Sequence, residues 1–252
     1  MDFTDKVVII TGASSGIGAG AAIYLSTLGA SLVLTGRNEV NLREVAKKCK
    51  GSPLLVVGDV NVEADRVNII KKTIEKFGKL NVLVNNAGMG EGGDITKATL
   101  EQYDRVMNTN VRSVFHLTQL AVPHLIKTQG NIVNISSVAG IRASAGFVTY
   151  CMSKAAIDQF TRCVALDLAP KNVRVNSVNP AVIITDFHKR LGMDDKTYAA
   201  YLEHAKSTHA LGRVGTVQEI AHAIAFLASD HATFITGTNL PVDGGRAIMC
   251  PR

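Results

Sequence analysis

Short apolar runs that do not alternate with polar residues recur along the chain. They are rich in Val, Ile and Leu, as is typical of strands covered on both faces. The runs span Val7–Ile10, Ser31–Leu34, Leu54–Val57, Asn81–Val84, Asn131–Ile135 and Val173–Val178. A last short strand is expected just before Val242. This pattern favours parallel strands enclosed between two layers of helices.

Stretches with helical periodicity fill the intervals between these runs. They span Ile17–Leu28, Glu39–Cys49, Glu63–Phe77, Leu100–Lys127, Val148–Leu168 and Val217–Leu227. The regular alternation predicts right-handed βαβ units in an α/β fold, a doubly wound parallel sheet of about seven strands with helices on both faces. We expect one domain over residues 1–252, with Pro123 kinking the fourth helix or ending its regular part.

The polar stretch at about 185–215 departs from this alternation. A loop or helical insert of this length inside a compact domain usually serves a function. We predict that it forms a lid over a substrate.

Composition excludes several classes of partner. The net charge is +6, but the basic residues are spread out, and the densest group, Lys47, Lys48 and Lys50, is typical of a solvated helix end. Without Trp, and with 5% aromatic residues, the chain offers few platforms for stacked bases. We therefore expect no nucleic-acid partner, although mild basicity suits a phosphorylated ligand.

Cysteine and histidine usage indicates a cytoplasmic protein without a catalytic metal. The four cysteines have no C-x-x-C spacing, and the seven histidines form no H-E-x-x-H or similar ligand pattern. The first residues lack the basic and apolar regions of a secretory signal. Residues 7–36 contain no charged residue and form a stretch long enough for a membrane span, but six glycines and several Ser and Thr interrupt the stretch, so we predict no membrane span.

The stretch TGASSGIG, from Thr11 to Gly18, has two interpretations. Its G-x-S-x-G letters match the turn that presents the serine nucleophile of α/β-hydrolases. The same letters suit a turn that binds a dinucleotide, and its place directly after the first strand favours this second interpretation. The predicted cofactor-binding residues of the turn are Gly12, Ser14, Ser15, Gly16, Ile17 and Gly18.

The end of the second strand indicates which dinucleotide is bound. No Asp or Glu occurs between Gly12 and Gly36, where an NAD-binding fold usually places an acid for the ribose 2′-hydroxyl. Instead Arg37 and Asn38 follow the strand, and a guanidinium suits a 2′-phosphate. This predicts NADP(H); an ordinary surface arginine is the alternative.

Tyr150 and Lys154 lie four residues apart on a predicted helix and therefore on one face of it. A nearby ammonium stabilises a phenolate and is expected to lower the pKa of Tyr150. The phenol would then donate a proton to a carbonyl oxygen, to which Ser137 would also hydrogen-bond. Ser136 is a rival for the serine position.

Taken in order, TGASSGIG, Asn85-Asn86-Ala87-Gly88, Asn110, Ser137 and Tyr150-x-x-x-Lys154 resemble the short-chain dehydrogenase/reductase family over essentially the whole chain. The resemblance implies a single-domain Rossmann fold, a homotetramer, and a branch similar to 3-oxoacyl-[acyl-carrier-protein] and ketosteroid reductases. It assigns Asn110 to a water-linked proton relay, and Lys154 a second task on the nicotinamide ribose.

The resemblance also implies further cofactor contacts around the cleft. They are Asp59 and Val60 at the adenine, Asn86, Ala87 and Gly88 at the adenosine ribose, and Pro180, Ala181, Ile183 and Thr185 at the nicotinamide. The family usually has glycine where this chain has Ala181, which disfavours a positive φ there.

The predicted function is NADPH-dependent reduction of a lipophilic ketone, such as a 3-ketosteroid or a 3-oxoacyl thioester, to a secondary alcohol. The expected pocket walls are mostly apolar: Met89, Val138, Arg142, Ser144, Phe147, Phe187 and Leu191. The alternatives are an idle NADP(H)-binding regulator and a serine hydrolase that uses Ser14.

Overall fold

The computed structural model describes residues 1–250 and contains one seven-stranded parallel sheet. The strands are β1 (Val7–Thr11), β2 (Ser31–Gly36), β3 (Leu54–Val57), β4 (Val82–Asn85), β5 (Asn131–Ile135), β6 (Arg174–Pro180) and β7 (Asn239–Val242). Their order in the sheet is β3-β2-β1-β4-β5-β6-β7. The predicted doubly wound α/β fold is confirmed.

The helices of the described residues cover both faces of the sheet. They are α1 (Gly16–Thr27), α2 (Glu39–Lys48), α3 (Glu63–Phe77), α4 (Leu100–Met107), α5 (Ser113–Thr128), α6 (Val148–Leu168), α7 (Phe187–Arg190), α8 (Asp195–Ser207) and α9 (Val217–Ala228). No helix in this part of the chain is both long and apolar enough to cross a membrane.

The strand residues alternate between two apolar cores. Val8 and Ile10 of β1 pack with α1 and α9, whereas Val7 and Ile9 point to the opposite face. That opposite face is covered by side chains of α3, α5 and α6. Both faces are buried, which explains why the sequence shows continuous apolar runs instead of alternation.

The fourth predicted helix is interrupted in a way that the sequence did not indicate. A π-helical turn at Asn108–Arg112 separates α4 from α5, whereas Pro123 lies inside α5, which continues to Thr128. The expectation that Pro123 could end the regular part of the helix is therefore wrong, whereas a kink there stays a prediction. The turn places Asn110 beside the loop that follows β4, and π turns are often found at functional sites.

The polar stretch at 185–215 contains two helices, α7 and α8, and lies between β6 and α9. Its end is fastened to the segment after β6, because the Gly215 N–H donates to the Val182 carbonyl and the Ile184 N–H donates to the Gly215 carbonyl. The insert therefore stands at the carboxyl end of β6, beside the cleft described below.

Candidate active site

The strand order changes direction between β1 and β4, and the cleft of an open α/β sheet forms at the carboxyl ends of such strands. The turn from Gly12 to Gly18 leaves β1 at this edge and leads into α1. Nearly all predicted site residues follow a strand at the same edge or lie on a helix that faces it. The fold thus gathers residues that lie far apart in the sequence.

The glycine turn has a shape that only glycine permits. Gly12 has a φ of +63°, and a Cβ there would come within 2.9 Å of the Ala87 Cα. A Cβ at Gly18 would come within 2.4 Å of the Asn86 Nδ2 atom. Any larger residue at either position would displace the turn.

The start of α1 is suited to a diphosphate. Ser15 caps the helix without a side-chain hydrogen bond, and no acidic residue lies in the first turn. The first N–H groups of the helix therefore have no intrahelical partner, and the helix dipole adds positive potential. The predicted turn residues fit the diphosphate of a dinucleotide cofactor.

Thr11 and Asn86 fasten the turn to β4. The Thr11 hydroxyl accepts hydrogen bonds from the N–H groups of Asn86 and Ala87, both at 2.9 Å. The Asn86 amide donates to the carbonyls of Thr11 at 2.8 Å and Gly12 at 3.2 Å. The Asn86 side chain therefore positions the turn, a role that its placement in the sequence did not reveal.

Arg37 lies at the carboxyl end of β2, where the adenosine would sit. Its side chain is 78% exposed, and its Nη1 atom is 3.8 Å from the Asp59 Oδ2 atom. Ser14 approaches from the glycine turn, with its Oγ 3.3 Å from an ideal Cβ built on Gly36. An arginine and a serine hydroxyl therefore converge on one corner of the cleft.

The remaining predicted adenosine residues have structural tasks as well. Asn38 caps α2 by accepting the Asn41 N–H at 2.9 Å. The Val60 carbonyl accepts a hydrogen bond from the buried guanidinium of Arg66. These bonds hold the segments after β2 and β3 at the cleft.

Ser137 and its neighbour Ser136 have different surroundings in the structure. The Ser136 side chain is buried, and its hydroxyl donates to the Lys154 carbonyl at 3.2 Å. Ser137 is half-buried, and its hydroxyl is close enough to Tyr150 to act to lower the pKa of that phenol. Ser137 is therefore the serine that faces the tyrosine.

Tyr150 and Lys154 lie one turn apart on α6, with the Lys154 Nζ atom 5.6 Å from the centre of the Tyr150 ring. Burial raises the pKa of Tyr150 to about 12, which is more than the opposing effect of the nearby Ser137 hydroxyl can offset. The expected lowering of the Tyr150 pKa is therefore wrong for the protein without cofactor. Burial also lowers the pKa of Lys154 to about 8, and its ammonium donates to the Ile135 carbonyl at 2.8 Å.

Asp158 extends the same face of α6 by one more turn, and sequence reasoning missed it. The side chain is 2% exposed and accepts hydrogen bonds from the Asn179 amide at 3.0 Å and the Asn239 amide at 3.3 Å. Burial raises the pKa of its carboxyl, while its charge acts to raise the pKa of Lys154. The four-residue spacing from Tyr150 through Lys154 is the signal that could have found it.

Asn110 is fully engaged by its neighbours. Its Oδ1 accepts the Met89 N–H at 2.9 Å, and its Nδ2 donates to the Met89 carbonyl at 2.8 Å and to the Ser153 hydroxyl at 2.9 Å. Gly88 lies next to this group, since a Cβ there would be 3.4 Å from the Asn110 Oδ1 and 3.6 Å from the Lys154 Nζ. The asparagine thus joins the π turn to α6.

The segment after β6 forms the last side of the cleft. Ala181 has no positive φ, so the missing family glycine leaves an ordinary backbone there. The Ile183 side chain is buried, and its N–H has no hydrogen-bond acceptor among residues 1–250. The Pro180 carbonyl lies 3.5 Å from the Ser137 hydroxyl, so the segment and the serine are adjacent.

Thr185 ends this segment beside the glycine turn, with its Cγ2 3.3 Å from an ideal Cβ built on Gly16. Its backbone is held by Tyr198 of α8, whose hydroxyl accepts the Thr185 N–H at 3.3 Å and donates to the Thr185 carbonyl at 2.9 Å. The insert therefore controls where Thr185 lies.

Comparisons with known proteins agree with this geometry. The family model described as enoyl-(acyl carrier protein) reductase matches residues 12–247. The chain is 38% identical to the 3-oxoacyl-[acyl-carrier-protein] reductase FabG of Thermotoga maritima, over 98% of this chain and 100% of the relative. It is also 38% identical to the L-xylulose reductase of Caenorhabditis elegans, over 97% and 96% of the two chains.

Solved structures give the same result. A short-chain dehydrogenase/reductase of unknown function from Caenorhabditis elegans, solved with cofactor, superimposes with a TM-score of 0.91 at 36% identity, covering 98% of this chain and 97% of the other. Levodione reductase superimposes with a TM-score of 0.94 at 29% identity, covering 98% and 100%. The dinucleotide cleft and these relatives together show that the chain belongs to the short-chain dehydrogenase/reductase family. Members of this family are oxidoreductases that use a nicotinamide cofactor.

Proposed function

We propose that this protein is an NADPH-dependent reductase that converts a ketone to a secondary alcohol, with Tyr150 as the proton donor. The observation that carries the proposal is the meeting of Ser137, Tyr150 and Lys154 at the sheet edge that also holds the glycine turn. A binding protein without activity would not need this arrangement. The named relatives also include reductases and dehydrogenases.

The chemistry divides between cofactor and protein. The reduced nicotinamide, when bound, supplies the hydride that the carbonyl carbon accepts. Tyr150 gives its phenolic proton to the carbonyl oxygen, so that hydride and proton together complete the alcohol. Its high pKa keeps the phenol protonated and ready to donate at neutral pH. Ser137 donates a hydrogen bond to the same oxygen as negative charge develops on it.

Lys154 supports the reaction in two ways. Its ammonium lies near the Tyr150 ring and favours the phenolate that is left after proton transfer. Its other proposed partner is the nicotinamide ribose. The hydrogen bond to the Ile135 carbonyl holds the ammonium in position whether or not the cofactor is bound.

The preference for NADPH rests on Arg37. An exposed guanidinium at the end of β2 can bind a 2′-phosphate through two parallel hydrogen bonds, and Ser14 adds a hydroxyl at the same corner. The β2 strand ends without a carboxylate that would bind a free ribose 2′-hydroxyl. These features support NADP(H) over NAD(H).

A lipophilic ketone suits the aromatic wall of the cleft. The Phe187 ring lies 5.8 Å from the Tyr150 ring, and its Cζ atom is 2.8 Å from an ideal Cβ built on Gly90. Two predicted wall residues are engaged by other parts of the protein: Arg142 donates to the carbonyls of Arg246 and Met249, and the Met89 sulfur accepts the Thr109 hydroxyl. Phe187 therefore places an aromatic ring beside the proton donor.

A homotetramer would cover apolar side chains on α5 and α6. Phe115 is 55% exposed and lies 6.1 Å, ring centre to ring centre, from Phe160, while Leu166 is 77% exposed. Apolar side chains of this size on adjoining helices favour contact with a second copy.

The test is NADPH oxidation by the purified protein with a 3-ketosteroid, a 3-oxoacyl thioester or L-xylulose, using Tyr150→Phe as the blank. Turnover of one substrate that Tyr150→Phe abolishes would support the proposal and select the substrate class. A wild-type protein that binds no NADPH in a fluorescence titration would overturn it. The serine-hydrolase alternative has no support, because Ser14 forms no hydrogen bond with a histidine among residues 1–250.

A further inference from the structure

An arginine of the insert reaches the glycine turn. Arg190 is the last residue of α7, and its Nη1 atom donates a hydrogen bond of 3.2 Å to the Ser15 hydroxyl. The two residues are separated by 175 positions in the sequence, so this contact exists only because the insert folds back over the cleft. Ser15 is the residue that directly precedes α1.

The charge of Arg190 is not neutralised by the protein. Within residues 1–250 the guanidinium forms no ion pair with a carboxylate, whereas the adjacent Lys189 pairs with Asp195 at 2.7 Å. The first turn of α1 also has no acidic residue. A cation therefore lies beside a helix N-terminus that is itself positive, and an anion bound at this place would interact favourably with both.

We infer that Arg190 binds the diphosphate of the cofactor and so joins the insert to the bound dinucleotide. This inference rests on the proposed function, since the ligand is the cofactor of the proposed reaction. A guanidinium can bridge two phosphate oxygens, and Ser15 is already within hydrogen-bonding distance of it. Thr185 approaches the same turn next to Gly16, so the insert would grip the diphosphate from two points.

The consequence is that cofactor binding and insert position are coupled. The segment from Thr185 to Arg190 carries Phe187, which lies against Tyr150. A diphosphate that attracts Arg190 therefore also fixes the aromatic wall near the proton donor. Cofactor binding would complete the substrate pocket.

The experiment measures dissociation constants of NADPH, NADH and adenosine 2′-phosphate for the wild type and for Arg190→Gln, Arg190→Lys and Lys189→Gln. We expect Arg190→Gln to weaken NADPH and NADH by the same factor, about tenfold to a hundredfold, because both carry the diphosphate. Arg190→Lys should restore part of the affinity. Adenosine 2′-phosphate, which has no diphosphate, should bind all four proteins equally.

Lys189→Gln is the matched control, since it removes the neighbouring cation and an exposed ion pair but leaves Arg190 in place. Unchanged NADPH affinity in Arg190→Gln would overturn the inference. An equal loss in Lys189→Gln, or a loss for adenosine 2′-phosphate, would also overturn it, because either result means that the insert was merely distorted. Failure of the wild type to bind NADPH would instead reject the proposed function.

Discussion

The Lys154 ammonium donates a 2.8 Å hydrogen bond to the carbonyl oxygen of Ile135, the last residue of β5. The charged group at this place is buried, since Lys154 is only 5% exposed. Burial lowers the pKa of Lys154 from 10.5 to about 8. The fold therefore gives up stability in order to hold a cation beside Tyr150.

Lys154→Met should abolish turnover and stabilise the protein at neutral pH. The lowered pKa corresponds to a cost of roughly 3 kcal/mol, from which the lost hydrogen bond subtracts about 1 kcal/mol, so a net gain of about 2 kcal/mol is expected. Below pH 8 both folded and unfolded wild type are protonated, and the cost is fully present. Between pH 8 and 10.5 only the unfolded state keeps the proton, so the wild type recovers stability. Urea denaturation at pH 7 and pH 10 would test this; a Met variant that is less stable at pH 7 would contradict it.

Gly18→Ala should weaken NADPH binding by about tenfold and cost about 1–3 kcal/mol, because a Cβ at 2.4 Å from the Asn86 amide must displace the turn. Gly51→Ala is the matched control. Gly51 has a φ of +80° with nothing within 4 Å of a built Cβ, so its substitution should cost about 1 kcal/mol and leave the NADPH affinity unchanged. Fluorescence titration and thermal denaturation of both variants separate the two effects. If Gly18→Ala bound NADPH as tightly as the wild type, the turn would tolerate the methyl group and the prediction would be wrong.

Much of the fold could be predicted because its determinants are local. The strands of a sheet covered on both faces need continuous apolar runs, and β1 shows this directly from Val7 to Ile10. The glycine turn and the pair Tyr150 and Lys154 were likewise visible, since backbone shape and helix spacing impose short, fixed intervals.

The parts that could not be predicted depend on distant partners. The π turn at Asn110 is held by Met89 and Ser153, which are 21 and 43 residues away. No local sequence pattern indicates this π turn. Pro123, which the sequence suggested as a helix breaker, lies inside α5. The contact between Arg190 and the glycine turn is of the same kind, because only the folded insert brings these residues together.

Arg37→Gln should lower NADPH affinity by about tenfold to a hundredfold and leave NADH affinity unchanged, because only NADPH carries the 2′-phosphate. Glutamine is chosen because it removes the charge without adding a carboxylate, which would repel the nearby Asp59. Arg43→Gln removes another exposed arginine that pairs with Glu39, and serves as the control. A ratio of NADPH to NADH affinity that stays at the wild-type value would exclude Arg37 from 2′-phosphate binding.

Asp158→Asn should shift the alkaline limb of the turnover profile to lower pH. The Asp158 carboxylate acts to raise the pKa of Lys154, so a neutral amide allows Lys154 to lose its proton earlier as the pH rises. The variant should also lose about 1–3 kcal/mol of stability, because the hydrogen bonds from Asn179 and Asn239 would no longer reach a charged acceptor. Asp167→Asn, at an exposed position on the same helix, is the control and should leave the profile unchanged.

The measurement is the turnover number against pH for the wild type and both variants, together with NADPH affinity at pH 6, where Lys154 is protonated in all three. Equal affinities at pH 6 with a displaced alkaline limb would show that Asp158 acts through the charge of Lys154. A loss of stability with an unmoved limb would instead limit Asp158 to packing. The distinction matters because Asp158 has two connections to the site. Besides the charge of Lys154, the Asn179 amide that donates to Asp158 also donates to the Ser137 carbonyl at 3.0 Å, and only the route through Lys154 moves the alkaline limb.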